Sequence, residues 1–226
     1  RAPADLKRLT LEQLLEVEVS TASRGAEPWW RTTAATTVLT YDDIRRSGAG
    51  TIVELLRLVP GVHVAQIDTN KFAVGIRGFT DRLSRAMLVL IDGRAVYSPL
   101  FAGTYWEAQD TLLEDIERIE VIRGPGGTLW GANAVNGVIH IITKSAADTR
   151  GTFVNAASGS STLGPFAVRH GGRFGAAGSY RVYAKVRSDE PGDLLSGGSA
   201  GNDHDFGHAG FRVEADRSGN NFAVLQ

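Results

Sequence analysis

Three charged side chains, Arg77, Glu120 and Arg123, fall within stretches that are otherwise apolar. A charge removed from water without a partner is costly, so each demands an ion pair or a set of hydrogen bonds. Four aromatic residues, Tyr97, Phe101, Tyr105 and Trp106, crowd a second segment. Their rings suit stacking on a flat or apolar ligand, and equally suit packing against a protein wall. Asp203, His204, Asp205 and His208 bring metal-capable groups close together. They sit beside glycines in a long polar stretch, where a solvated loop tip accounts for them, so no metal site is assigned.

The glycine-rich run Gly124 to Gly131 follows a strand and invites comparison with a phosphate cradle. The comparison fails, because no Gly-Lys-Ser/Thr follows, the dinucleotide fingerprint is incomplete, and the chain is expected to enter another strand, GVIHIIT, without a helix. Turn chemistry explains these glycines better than direct ligand contact. Cysteine is absent, which removes disulfides, thiolate metal sites and cysteine nucleophiles. No serine, histidine and acid set stands in a nucleophile-elbow context. The reading is therefore of a protein that is not an enzyme and that needs no cofactor.

The 226 residues carry 24 lysines and arginines against 25 aspartates and glutamates. That balance offers no field for nucleic acid, and none is expected as a partner. No apolar run approaches the roughly 20 residues of a spanning helix, so any passage through a membrane must use strands. The chain start at Arg1 lacks a secretory-signal layout, as in a processed or trimmed chain.

Leu6 to Val17 reads as a short amphipathic helix with Thr10 and Gln13 at capping-box spacing. Glu16 to Arg24 alternates like a strand but has no adjacent partner run. The strand TTVLT at residues 36–40 then leads into two short helices, capped by Thr40 with Asp43 and by Thr51 with Glu54. Strands are expected over Val62 to Gln66, Phe72 to Arg77, Ala86 to Ile91, Glu117 to Arg123 and Gly137 to Thr143. Asp92 and Gly93 mark a tight turn.

Beyond Ser145 the helical pattern ends. In Tyr180 to Arg187, Tyr180, Val182, Ala184 and Val186 share one face, and Arg181, Tyr183, Lys185 and Arg187 the other. His208 to Asp216 repeats the scheme. A water-soluble sandwich would alternate in the same way, but short and long connections also alternate here, as in outer-membrane barrels.

Residues 36–144 resemble the plug of TonB-dependent outer-membrane receptors through TIVELLRLVPGV (51–62), VGIRGF (74–79), VLIDGRAVY (89–97) and IERIEVIRGPGGTLWGANAVNGVIHIITK (116–144). The resemblance implies an α+β plug, a small mixed sheet with short helices, followed by antiparallel strands of a truncated transmembrane β-barrel. The expected organisation is a periplasmic leader over 1–35, a plug over 36–146 and roughly five opening barrel strands over 150–226, so that the chain would be a fragment of a larger receptor.

By the same resemblance, Val17, Glu18, Val19, Ser20 and Thr21 form the TonB box, which adds as an edge strand to the periplasmic partner TonB and its inner-membrane energising complex. Apical plug loops would read the ligand through Asp68, Asn70, Lys71, Tyr97, Phe101, Tyr105 and Trp106. Arg77, Glu120 and Arg123 would lock plug to barrel wall, or else pair locally within the plug. The implied place is the Gram-negative outer membrane, in contact with its lipid, with plug and TonB box facing the periplasm. The implied ligand is a small-molecule metal chelate such as an iron siderophore. A ligand-sensing receptor or surface binding module without transport is the competing reading.

Overall fold

The computed structural model describes residues 18–19, 21, 27–28, 34–159, 162–175, 177–216 and 222–225. The helix expected over 6–17 lies outside them, as do Val17 and Ser20. Two compact units result, one formed by Arg1–Ile67 with Lys71–Thr143 and the other by Asp68–Asn70 with Lys144–Gln226.

In the first unit, β1 (Glu18–Val19) pairs antiparallel with β2 (Glu27–Pro28). The segment expected to lack an adjacent partner thus has one, hidden from the sequence because it is two residues long and includes a proline. There follow β3 (Ala35–Thr40), α1 (Tyr41–Arg46), α2 (Ile52–Leu56), β4 (Val62–Gln66), β5 (Phe72–Ile76), β6 (Met87–Ile91), β7 (Arg94–Ala95), β8 (Tyr97–Ser98), β9 (Gly103–Thr104), β10 (Ile116–Arg123), α3 (Gly127–Trp130) and β11 (Gly137–Thr143). One five-stranded sheet has the order β3-β10-β11-β6-β7. Within it β11 and β6 run parallel and the other neighbours antiparallel.

The helices start where their caps dictate. The Thr40 hydroxyl accepts the Asp43 N–H at 3.3 Å and the Asp43 carboxylate accepts the Thr40 N–H at 2.9 Å. The Thr51 hydroxyl accepts the Glu54 N–H at the start of α2, while the Glu54 carboxylate accepts the Gly50 N–H. Each such cap contributes about 1 kcal/mol. Ile52, Leu55 and Leu56 then pack with Val89, Ile119, Val121, Ile139 and Ile141 on one face of the sheet. Leu88, Leu90, Ile122, Val138 and Ala134 form a smaller cluster with Trp130 on the opposite face.

Two local differences from the sequence reading, and one turn that it anticipated, have backbone causes. Strand β5 stops at Ile76 because Arg77 and Gly78 take positive φ of 53° and 87°, outside the strand region. The turn at Asp92 and Gly93 is left-handed at both residues, φ 48° and 81°, as a two-residue hairpin requires. Between Gly126 and Gly131 the chain makes one helical turn, α3, where the sequence pattern predicts turn and strand alone.

The second unit is a meander of β12 (Gly151–Ser158), β13 (Thr162–Phe174), β14 (Gly178–Asp189), β15 (His204–Asp216) and β16 (Phe222–Leu225), each antiparallel to the next. Its polarity is inverted relative to a water-soluble sheet. Arg181, Lys185 and Glu214 are buried, whereas Val154, Phe166, Val168, Val182, Val186 and Phe211 are exposed. The preceding 3-10 turn, Ala146–Thr149, covers the polar face: the Ala146 N–H donates to Glu214 and Arg181 donates to the Lys144 carbonyl, each at 2.9 Å. Leaving six large apolar side chains in water would forgo about 1.5–3 kcal/mol apiece, comparable to the whole stability of a domain.

Close approach fixes Gly137 in β11, where an added Cβ would lie 2.3 Å from the Ile122 carbonyl oxygen. Replacing Gly137 with alanine is expected to destabilise the first unit by about 2 kcal/mol, seen as a lower denaturant midpoint. An unchanged midpoint would show that the strands can separate without penalty.

Candidate functional site

Two regions of the first unit carry side chains that packing alone does not explain. The first is built by the loops on either side of β6. Leu83 and Ser84 fasten one loop to the other: the Thr104 N–H donates to the Leu83 carbonyl at 2.6 Å, and Arg82 pairs with Glu107 at 2.8 Å. The Ser84 hydroxyl donates to the Val74 carbonyl at 2.8 Å and accepts the Trp106 indole N–H at 2.9 Å.

Beyond that fastening the loops present apolar surface to solvent. Phe101 stacks on Tyr105 with ring centres 4.8 Å apart, while Leu100 and Phe79 are 84% and 76% exposed. The structure therefore joins Phe101 and Tyr105, with Tyr97 half-buried in β8. It turns Trp106 inward at 2% exposure, where the ring anchors the loop and cannot stack on a ligand. Sequence reasoning missed Phe79 and Leu100. The available signal was position, since Phe79 follows the left-handed Arg77 and Gly78 just past the strand end. Of the other loop residues, Lys71 belongs to the first unit, and Asp68 and Asn70 belong to the second.

The second region gathers around Thr21, which is fully buried. Its backbone N–H and its hydroxyl both donate to Glu120 Oε2, at 2.9 and 2.5 Å, and its carbonyl accepts the Trp130 indole N–H at 2.9 Å. His140 Nδ1 lies 2.9 Å from the same hydroxyl oxygen, and His140 Nε2 accepts the Gly93 N–H at 3.0 Å. That last bond fixes the tautomer. With Nε2 an acceptor, the ring proton sits on Nδ1 and points at Thr21, whose own proton points at Glu120.

Register produces this cluster: Glu120 in β10 lies directly opposite His140 in β11, on the face that also carries Ile122 and Val138. Burial pushes the Glu120 carboxyl upward, but the bonds from Thr21 and Arg118 outweigh it and hold the group below the usual carboxylate range. Burial pushes the His140 imidazole below its ordinary value, and the Glu120 and Asp92 carboxylates restore only part of that. Both groups bind protons more readily once unfolded, so the stability they supply is complete near neutrality and declines as pH falls.

The charges expected to lock the plug find their described partners inside the first unit. Arg118 Nε donates to Glu120 at 2.8 Å, and Arg123 donates to the Pro60 carbonyl and to the Thr37 hydroxyl. Arg77 is exposed beyond the end of β5. Among the described residues no group of histidine and acidic side chains is arranged to hold a metal ion.

Residues 30–138 match the family model for the TonB-dependent receptor plug domain. The chain is 35% identical over 150 residues to the vitamin B12 transporter BtuB of Vibrio vulnificus (strain CMCP6), a match covering 66% of this chain and 24% of the relative. Identity to the transporter of the same name in Photobacterium profundum is 36% over 129 residues, 57% of this chain and 20% of that one. The chain thus spans about a quarter of the length of the curated relatives it matches. Among solved structures, the pyoverdine outer membrane receptor FpvA of Pseudomonas aeruginosa PAO1 superposes with a TM-score of 0.72 at 18% identity, covering 92% of this chain and 29% of that chain. The siderophore receptor PirA of Acinetobacter baumannii gives 0.64 at 23%, covering 84% and 30%.

The Ser84 bridge yields a direct expectation. Ser84→Ala removes the acceptor of a buried indole N–H, which costs about 1–3 kcal/mol, and loosens the aromatic loop. Faster amide exchange over residues 99–106 with unchanged exchange in β10 is the expected result.

Proposed function

Because the chain belongs to the TonB-dependent receptor family, carrying its plug domain and barrel strands, we propose that it gates energy-coupled uptake of a bulky metal chelate across a Gram-negative outer membrane. The observation that carries this reading is the order of the two units: a compact plug runs directly into an antiparallel sheet with its polar face covered and its apolar face bare. Such a sheet is at rest only when hydrocarbon meets the apolar face, and closure into a barrel removes its unpaired edges.

In this reading Phe101 and Tyr105, with Tyr97 beside them and Phe79 and Leu100 exposed nearby in sequence, supply the apolar ligand contacts, and Lys71 supplies a polar one. The relatives at 32–36% identity are named as vitamin B12 transporters, which supports a cobalamin as the first ligand to test. Iron siderophores, the expectation from the family resemblance, come second. Residues 17–21 engage TonB by strand addition, where main-chain hydrogen bonds transmit the pull.

Growth and labelled uptake by cells carrying the full-length receptor, supplied with cyanocobalamin or with single ferric siderophores, test the reading. Uptake of one class that depends on TonB supports it. Binding without uptake supports a sensing role instead. Two substitutions sharpen the result. Changing Phe101 and Tyr105 together to alanine is expected to weaken ligand binding about tenfold, the equivalent of about 1.4 kcal/mol. Val19→Pro removes a main-chain donor and is expected to abolish calorimetric binding to TonB, so unchanged binding would place the coupling strand elsewhere. On the barrel side, Val182→Arg is expected to cost about 2–4 kcal/mol in the membrane, with Tyr183→Arg tolerated.

A further inference from the structure

Thr21 is the one described residue of the proposed coupling strand whose side chain is placed, and every polar atom it has is engaged. Its N–H and hydroxyl go to Glu120, its carbonyl to Trp130, and its hydroxyl oxygen receives the His140 proton. The partners come from separate parts of the plug: β10, β11 and α3. A strand engaged in this way at its end is not available as an edge for another protein, because strand addition needs the same backbone groups free.

We propose that Glu120, His140 and Trp130 are positioning residues that latch the leader to the plug through Thr21, and that the latch is proton-linked, opening when Glu120 or His140 takes up a proton. The inference rests on the TonB-coupled reading above and adds to it the residues that withhold the strand and the signal that frees it.

The proton linkage follows from the hydrogen-bond directions. Each group in the chain Gly93 N–H, His140, Thr21 hydroxyl, Glu120 gives its proton to the next. Protonated His140 has no acceptor left for the Gly93 N–H, and protonated Glu120 is neutral, so its bonds to Thr21 are no longer charge-assisted. The charged groups facing the pair are few. Arg118 donates to Glu120 from the same strand, and Asp92 acts on His140 from the β6–β7 turn, its carboxylate tied to the Thr143 N–H and hydroxyl at 2.7 Å each. Arg118 favours the ionised Glu120. Burial and Arg118 oppose protonation of His140 while Glu120 and Asp92 favour it without outweighing them, so the ring takes its proton only below its ordinary range.

The test is hydrogen exchange on the full-length receptor, following peptides over residues 17–24 with β10 peptides as an internal control for folding. Between about pH 7.5 and about pH 4.5, after correction for intrinsic rates, the leader of the unaltered protein is expected to exchange about tenfold faster while β10 stays protected. Thr21→Val keeps the shape and deletes the hydroxyl. It is expected to give fast leader exchange already at the higher pH, with the pH response gone. Glu120→Gln should do the same, and Thr21→Val, lying outside the sheet, carries the test if that variant unfolds β10.

Leader exchange that is independent of pH, or unmoved by Thr21→Val, overturns the latch. Binding to the isolated periplasmic domain of TonB separates the two readings. A leader that is released by acid but still fails to bind TonB leaves the latch standing and removes the coupling role of residues 17–21. Tighter binding by Thr21→Val supports both.

Discussion

A carboxylate with no solvent exposure stands in β10, the second strand of the plug sheet, and the surroundings of Glu120 are organised around keeping it charged. Desolvation alone would make the group protonate, at an energy comparable to several ordinary hydrogen bonds. Arg118 along the strand and Thr21 from the leader together outweigh that penalty. The consequence is structural as well as electrostatic. Thr21, distant in sequence, is brought onto the sheet, and Trp130 and His140 close around the same residue. Removing one partner from such a network leaves the others buried and unsatisfied, so the network acts as a unit.

The second unit obeys the opposite rule. Along β14 and β15 Val182, Val186 and Phe211 are exposed while Arg181, Lys185, Asp189 and Glu214 are buried, an arrangement that is unstable in water and stable against hydrocarbon. The 3-10 turn at Ala146–Thr149 prepares that inversion. It lies so close over β13 that a Cβ at Gly171 would stand 2.3 Å from the Thr149 carbonyl, and it supplies backbone partners to Arg181 and Glu214. The first unit thus buries its large apolar side chains, while the sheet of the second leaves several of them exposed.

Between these extremes, the loops around β6 separate anchoring from display. Trp106 and Ser84 are buried and hydrogen-bonded, which fixes the base of the loop, while Leu100 and Phe101 are carried beyond it into solvent. In the ligand-binding role proposed above, a hydrogen-bonded base beneath an exposed apolar tip would lower the entropy lost on binding. In a sequence the four aromatics of this segment look alike. Only the partner found by the Trp106 indole distinguishes the anchor from the tip.

What the sequence determined by itself was everything set by local chemistry: the caps at Thr40 and Thr51, the hairpin at Asp92 and Gly93, the two-residue period of β14 and β15, and the family blocks over residues 51–144. These depend on neighbours within a few positions, so residue type and spacing suffice. The tertiary structure alone decided which charges pair, that Trp106 points inward, that β1 has a partner in β2, and that Thr21 lies on Glu120 across 99 positions of chain. Those outcomes depend on register between strands and on desolvation. Both arise from groups far apart in sequence, so no local pattern encodes them.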